Sequence, residues 1–402
     1  MVPSARSRSP ARTDFGDTGR DREAAPVAHD VSARPPAADR ILIVRLGALG
    51  DVVRTLPSVA ALRGLYPGAH LTWLVEPAAA GVVDAAGIVD ETLIFPRREL
   101  SVFLRAADGL SFARMLIGVV RRLRERRFDL ALDFHGILKS GILTRLSGAP
   151  LRYGFGRAAS REFAHLFVNR RVELLASRVS RYDRNAALVR ALARHASLPQ
   201  APFLEPSPLA VARLAARISH LDLATTERFV LIHPSSSPRA RYKRYAPSAW
   251  GEVARRLSKE GFSVWIARGP GRHEKALVDE VLRASGGTAV QAPETRSFDD
   301  LLALMARASV FVSCDSGPLH VASLVGVPVV QLLGPTDPIH NESWRHSPSR
   351  RVHFPLPCSP CRSGCAEATC MRAIPPALVV AQIRDLHAGS NDSTESFVER
   401  PG

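Results

Sequence analysis

The residues best placed to do chemistry are Asp315-Ser316-Gly317-Pro318-Leu319-His320. Before them a β-branched and aromatic run, Val310-Phe311-Val312, reads as a buried strand that stops at Cys314. Pro318 stands where a first helical residue belongs, and Leu319 to Val325 continues as a short helix ended by Gly326. A strand, a turn of small residues and a helix N-terminus point free backbone N–H groups and a positive dipole end at one spot. That arrangement suits a diphosphate, and an ordinary βαβ crossover with a capped helix carries the same pattern. Pro328 to Leu333 follows as a second apolar strand, closed by the loop Gly334-Pro335-Thr336-Asp337-Pro338. Near the other end of the chain, the strand Ile41 to Leu46 and the Gly47–Gly50 turn lead into a helix beginning near Asp51. Asp51 can stabilise that helix N-terminus through its dipole, or take a proton from a hydroxyl as a general base. A third group, His233-Pro234-Ser235-Ser236-Ser237, ends the strand Phe229 to Ile232, and its small hydroxyl residues suit a phosphate loop.

These groups must be held by an alternation of strands and helices. Leu71 to Val75, Thr92 to Phe95, Phe128 to Phe134 and Val264 to Ala267 read as further strands. Ser111 to Arg127 has amphipathic helix spacing, with Phe112, Met115, Leu116, Val119, Val120 and Leu123 on one face. Its other face carries Arg114, Arg121, Arg122, Arg124, Arg126 and Arg127, which suits either a solvated surface helix or one lying on a membrane. Asp133-Phe134-His135-Gly136 and Lys139-Ser140 follow directly on a strand, the edge where open α/β sheets bind ligands. A helix from Tyr182 to His195 leads to a proline-rich boundary between Pro199 and Pro208. Gly269-Pro270-Gly271 opens a helix whose first turn contains Glu274, Ser297 caps the next helix, and Ala377 to Leu386 is the terminal one.

Two long motifs, in this order, carry a family resemblance. Arg45-Leu46-Gly47-Ala48-Leu49-Gly50-Asp51 running into Thr55-Leu56-Pro57 resembles a G-D-x-x-x-T-L-P element. Asp315-Ser316-Gly317 with His320, followed by Gly334-Pro335-Thr336-Asp337-Pro338, resembles a D-[ST]-G-x-x-H…GPTDP signature. Both belong to glycosyltransferase family 9, the ADP-heptose:lipopolysaccharide heptosyltransferases, and the similarity extends over roughly Arg40 to Ile383. The resemblance implies an α/β protein of GT-B type, with two Rossmann-like domains facing across a cleft. Residues 1–39 would be a disordered extension, 40–200 the acceptor-side domain, 201–390 the nucleotide-sugar domain and 391–402 a disordered tail. It implies an inverting transfer of heptose from an ADP-heptose donor to an anionic lipopolysaccharide inner-core acceptor, with Asp51 as general base. Lys243-Arg244-Tyr245-Ala246-Pro247 resembles the family's K-x-W-P step with Tyr for Trp, which makes Lys243 the cation for the departing diphosphate. By the same resemblance Ser235, Ser236, Glu274, Arg296, Asp315, Ser316, Gly317 and His320 bind the donor, Glu274 through the ribose. Lys139, Arg157 and Arg161 would grip the acceptor. No cofactor is expected, and no D-x-D triplet of the kind that holds a divalent metal occurs.

Length and composition narrow the alternatives. The 402 residues suit two or three domains, and 46% hydrophobic residues can build substantial cores. No stretch reaches the ~18 consecutive apolar residues of a membrane span, and the arginines near the N-terminus are followed by no apolar segment of a secretory signal. The expected location is therefore cytoplasmic, with peripheral contact at the anionic inner-membrane surface. The formal charge of +16 calls for anionic partners, and residues 1–40 contribute little to it, with seven Arg against six Asp and Glu. The basic residues lack the interleaved aromatics and reader motifs of a nucleic-acid binder, so no nucleic-acid partner is expected. Five cysteines do not make a disulfide scaffold. Cys358, Cys361, Cys365 and Cys370 form C-x2-C-x3-C-x4-C, which fits a structural zinc, a disulfide or free packed thiols.

Overall fold

The computed structural model describes residues 35–174, 176, 178–199, 203–220, 229–269, 271–361 and 364–395. Residues 1–34 and 396–402, which hold most of the expected N-terminal extension and the end of the expected tail, lie outside them. The strands in chain order are β1 (Arg40–Val44), β2 (His70–Val75), β3 (Glu91–Ile94), β4 (Leu130–Asp133), β5 (Leu151–Phe155) and β6 (Arg170–Val172). The second half repeats the series with β7 (Phe229–His233), β8 (Ser263–Ile266), β9 (Ala289–Gln291), β10 (Val310–Cys314), β11 (Val329–Leu333) and β12 (Ser349–His353). They form two six-stranded parallel sheets ordered β3-β2-β1-β4-β5-β6 and β12-β11-β10-β7-β8-β9. Counted within its own half, each sheet has the order 3-2-1-4-5-6, so the connections reverse direction between β1 and β4, and again between β7 and β10. Crevices outside the carboxyl ends of strands at such switch points are where open α/β sheets bind ligands.

Helices on both faces explain why the central strands are almost wholly apolar. β7, β10 and β11 are buried at every position, and β1 at all but its first. One contiguous set of buried side chains runs from sheet to sheet and includes Leu56, Leu132, Tyr182, Leu319 and Trp344. Tyr182 is the hinge of that set. It comes from the Arg181–Arg190 helix, which packs on the Leu56–Leu65 helix of the first half, while its ring lies 4.8 Å from Trp344 of the second.

Several elements depart from the expected bounds. The helix expected from Tyr182 to His195 spans Arg181–Arg190, with Ser180 as its cap, and the chain leaves it in turns. The terminal helix runs Pro376–Glu395, so it continues into the region expected to be a disordered tail. The amphipathic helix runs Gly109–Glu125 and buries Val119 and Leu123, with Phe112 and Met115 packed beside them. Leu116 and Val120, expected on the same inner face, line an open groove with Leu146.

The two halves touch at two glycines. The short helix Leu49–Val53 after β1 and the helix Gly317–Val325 after β10 meet end to end. A Cβ on Gly50 would stand 3.2 Å from Gly317 Cα, and a Cβ on Gly317 would stand 3.1 Å from Leu49 Cδ2 and 3.3 Å from the Gly50 nitrogen. Closeness of two backbones, not an unusual φ, is what requires glycine here. Gly317→Ala is therefore expected to lower the thermal unfolding midpoint, since overpacking costs about 1–3 kcal/mol. Gly64→Ala, in a helix where an added methyl meets nothing within 4 Å, is the control and should not lower it. A Gly317→Ala midpoint equal to wild type would contradict the tight contact.

Candidate active site

β1 delivers Arg45 to its carboxyl end, and the Leu49–Val53 helix starts one turn later with Asp51 in its first turn. Asp51 is enclosed by three guanidinium groups. Arg45 Nη2 lies 2.7 Å from Oδ2, Arg54 Nη2 lies 3.0 Å from Oδ1, and Arg181 Nη1 also donates to Oδ1. Burial works against the carboxylate charge, but Arg45, Arg181 and Arg54 outweigh it and hold the group well below the usual carboxylate range. The arginines are themselves fixed: Arg45 donates to the Phe134 carbonyl at 2.9 Å, and Arg54 donates to the Gly50 carbonyl and, from the other half, to Asn341 Oδ1 at 3.3 Å. Arg45 and Arg54 are buried, whereas the Arg181 side chain is 40% exposed toward solvent.

Beside this cluster, the carboxyl end of β4 makes a tight turn. Asp133 is buried and accepts from the N–H groups of His135 and Gly136 and from the Ser140 hydroxyl, which sets the start of the Leu138–Leu146 helix. Lys139 in that first turn pairs with Glu76 Oε1 at 2.9 Å. Arg161 donates its backbone N–H to the Gly136 carbonyl and keeps its side chain exposed, as does Arg157. Of the three residues expected to grip the acceptor, Lys139 thus shares Glu76 with Arg97, and the two arginines face outward.

The second half presents the other wall. Ser235 and Ser236 are buried after β7, and Arg244 donates to the Ser236 hydroxyl at 3.2 Å and to its carbonyl at 3.1 Å. After β10, Asp315 accepts from Lys243 Nζ at 2.7 Å and lies 3.5 Å from His320 Nε2. Burial opposes the Asp315 charge, but His320, Lys243 and Arg54 hold its pKa well below the ordinary value. Burial, reinforced by Arg54, pushes His320 down to about 4, so this imidazole is neutral at pH 7. Ser316 takes the extended N-cap position of the Gly317–Val325 helix, and no side chain caps it. The backbone donors of its first turn are left for a ligand. Glu274, in the first turn of the Arg272–Ser285 helix, accepts from the Gly269 N–H and stands 3.9 Å from His233 Nε2.

Arg296 is exposed, and its backbone N–H donates to Asp300 at 3.1 Å. The structure therefore gathers Asp51, Lys243, Asp315, Ser316, Gly317 and His320 where the halves meet. Glu274 and the serines lie along the second sheet's edge, and Arg296 joins them only through its backbone. The four clustered cysteines are free, Cys370 buried and Cys358 and Cys365 exposed. Among the described residues, these cysteines included, no three His, Cys, Asp or Glu side chains are close enough to hold a metal. Their segment instead packs on the Gly334–Pro338 loop: Cys361 donates its N–H to the Pro335 carbonyl at 2.7 Å, and a Cβ on Gly334 would meet Met371 and Cys370 sulfurs. Sequence reasoning missed Arg45, Arg54 and Arg181. Arg54 stands inside a quoted motif at a position the motif leaves open, and Arg181 lies far along the chain with no local signal.

Comparison with known proteins bears on the fold and the family. The family model for glycosyltransferase family 9 (heptosyltransferase) matches residues 117–371. The chain is 25% identical over 311 residues to the lipopolysaccharide core heptosyltransferase OpsX of Haemophilus influenzae, covering 77% of this chain and 83% of that protein. It is 27% identical over 335 residues to lipopolysaccharide heptosyltransferase 1 of Pseudomonas aeruginosa, covering 80% and 86%. Among solved structures, the E. coli heptosyltransferase WaaC with ADP superimposes with a TM-score of 0.66 at 21% identity, over 86% of this chain and 99% of that one. A family 9 glycosyl transferase from Veillonella parvula gives 0.68 at 18% identity, over 87% and 97%. Two facing Rossmann-like sheets are the GT-B arrangement, and with a family match across well over half of its length, this chain belongs to glycosyltransferase family 9, the heptosyltransferases.

Proposed function

We propose that this chain is an inverting glycosyltransferase that moves heptose from ADP-heptose onto a lipopolysaccharide inner core. The observation that carries this reading is the contact of Gly50 with Gly317. It brings the Asp51 carboxylate of one half beside an uncapped helix N-terminus of the other, a proton acceptor next to an anion site. The relatives' names supply the substrate class, since they are lipopolysaccharide heptosyltransferases and one solved neighbour holds an ADP-heptose analogue.

The donor diphosphate takes the first-turn N–H groups of the Gly317–Val325 helix, with Ser235, Ser236 and Ser316 beside it. Lys243 has three donors and can serve a phosphate oxygen while keeping Asp315. Glu274 receives the ribose hydroxyls, and the adenine end lies toward Arg296. The acceptor enters over the first half, past Lys139, Arg157 and Arg161. Its hydroxyl oxygen bonds to the anomeric carbon as the bond from that carbon to ADP breaks, the electron pair leaving with ADP. The hydroxyl proton passes to Asp51. A carboxylate held this far down is a weak base at rest. It suffices because the attacking oxygen gains positive charge as its new bond forms, and its proton becomes correspondingly acidic. The developing charge on ADP is met by the helix N-terminus and Lys243.

ADP release from a panel of ADP- and UDP-sugars with deacylated lipopolysaccharide acceptors tests the reading. Turnover is expected with ADP-heptose and a heptose-deficient core; faster turnover of a UDP-sugar would assign another donor.

Asp51 is also the counter-charge of three arginines, so its two roles need separating. Breaking a buried ion pair costs about 3–5 kcal/mol, and Asp51→Asn is expected to lower the unfolding midpoint. Asp51→Asn/Arg181→Gln removes one repelling cation and should recover part of that midpoint. Turnover should stay about 10²–10⁴-fold down in both variants. Turnover that returns together with the midpoint would make Asp51 a structural residue only.

A further inference from the structure

The three guanidiniums around Asp51 are not equivalent. Arg45 and Arg54 have side-chain exposures of only 8% and 7%, and each is tied to other groups, Arg45 to the Phe134 carbonyl and Arg54 to the Gly50 carbonyl and Asn341. The Arg181 side chain is 40% exposed, and among the described residues Asp51 is its one hydrogen-bond partner. Its backbone is fixed, since Arg181 opens the Ser180-capped helix and its N–H donates to the His340 carbonyl. The side chain can swing on the picosecond-to-nanosecond scale of exposed rotamers. Arg45, Arg54 and Arg184 all repel it, whereas Asp315 of the second half attracts it, so Arg181 stands between the two walls of the cleft. Arg45 occupies Asp51 Oδ2, while Arg54 and Arg181 both donate to Oδ1. The two buried arginines reach the carboxylate from the protein side. The approach to Oδ1 from the cleft is the one that Arg181 covers, and an acceptor hydroxyl giving its proton to Asp51 must come in along it.

We infer that Arg181 is a removable counter-ion: an oxyanion on the acceptor sugar, carboxylate or phosphate, draws its guanidinium off Asp51 and so opens Oδ1 to the attacking hydroxyl. The planar fork of an arginine fits a two-oxygen anion, so in leaving Asp51 it exchanges one such partner for another and little ion-pair energy is lost. Arg45 and Arg54 stay behind and keep the carboxylate in place. Arg181 is one of the groups that hold the Asp51 pKa down, so its departure also makes the carboxylate a stronger base. The hydroxyl proton then goes to Oδ1 while the acceptor oxygen bonds to the anomeric carbon, and the electron pair of the broken bond leaves with ADP. An acceptor that lacks the anion leaves Arg181 on Asp51. Recognition of acceptor charge and release of the base are then one event. The inference rests on the transfer reading with Asp51 as proton acceptor.

Steady-state ADP release tests it, with ADP-heptose and three deacylated lipopolysaccharide acceptors: intact, dephosphorylated, and with carboxylates reduced to alcohols. Wild type is expected to turn over the intact acceptor and to lose kcat on the neutralised one that lacks the recognised group, which tells carboxylate from phosphate. Arg181→Gln should raise the KM of the intact acceptor about 10–100-fold, the loss of a charge-assisted hydrogen bond, and leave the KM of ADP-heptose unchanged. On that neutralised acceptor Arg181→Gln should have a higher kcat than wild type, because its Asp51 is never covered. A merely structural Arg181 would slow every acceptor alike. Arg181→Lys, which keeps the charge without the fork, should fall between the two on the intact acceptor, and ADP calorimetry verifies that each variant folds. The wild-type arms need no variant. Wild-type kcat unmoved by both neutralisations, an Arg181→Gln variant slower than wild type on every acceptor, or a KM rise for the donor in place of the acceptor would each overturn the inference alone. No ADP release by wild type on any acceptor would refute the transfer reading, and this inference with it.

Discussion

One half-buried carboxylate facing three guanidiniums is the constraint on which the site depends. Asp51 draws Arg45 from the end of β1, Arg54 from the end of the following helix and Arg181 from a helix far along the chain. Without it, the buried Arg45 and Arg54 would face each other and the part-exposed Arg181 with no counter-charge, which the lowered local dielectric would make costly. The cluster also reaches across the cleft: Arg54 bonds Asn341, and the Arg181 N–H donates to the His340 carbonyl at 3.4 Å. Position of the carboxylate and approach of the two halves are therefore one electrostatic problem. A single negative charge does not neutralise three positive ones, so the pocket keeps a surplus that favours anionic substrates.

Topology explains why that problem arises where it does. Both sheets share one strand order, and each offers a crevice at its own switch point. The first crevice holds Asp51 and the Asp133 turn, and the second holds Ser235, Ser236 and the Asp315–Gly317 turn. Facing the two crevices makes a single cleft with chemically different walls. One wall carries a carboxylate among arginines; the other carries backbone donors, a lysine and a neutral histidine. Gly50 and Gly317 set the spacing, because a side chain on either would hold the walls apart.

Much of this was legible in the sequence where the signal is local. Central parallel strands buried on both faces read as short apolar runs, and Pro318 with Gly326 bracketed the key helix within two residues of its observed start. The edge strands Arg170–Val172 and Ser349–His353 were invisible, since arginines and polar residues at a sheet margin carry no apolar run. Site residues inside motifs, such as Asp51, Lys243 and Asp315, came with the resemblance. Arg181 did not, because which distant cations converge on a carboxylate is decided by packing. The Gly109–Glu125 helix shows the same limit. Phe112, Met115, Val119 and Leu123 of its inner stripe were legible from periodicity, but the outward turn of Leu116 and Val120 and the open flank formed with the Arg97–Arg105 helix appear only once the helices are packed.

The central claim is that the diphosphate-binding turn and the proton acceptor belong to one site built by both halves. A crystal structure of the protein with ADP tests it most directly. The account predicts phosphate oxygens at about 2.7–3.2 Å from the first-turn N–H groups of the Gly317–Val325 helix. It also predicts contact with Lys243, ribose hydroxyls on Glu274, and the open side of the bound nucleotide facing Asp51. ADP bound within the first half, or phosphates placed away from Gly317, would contradict it.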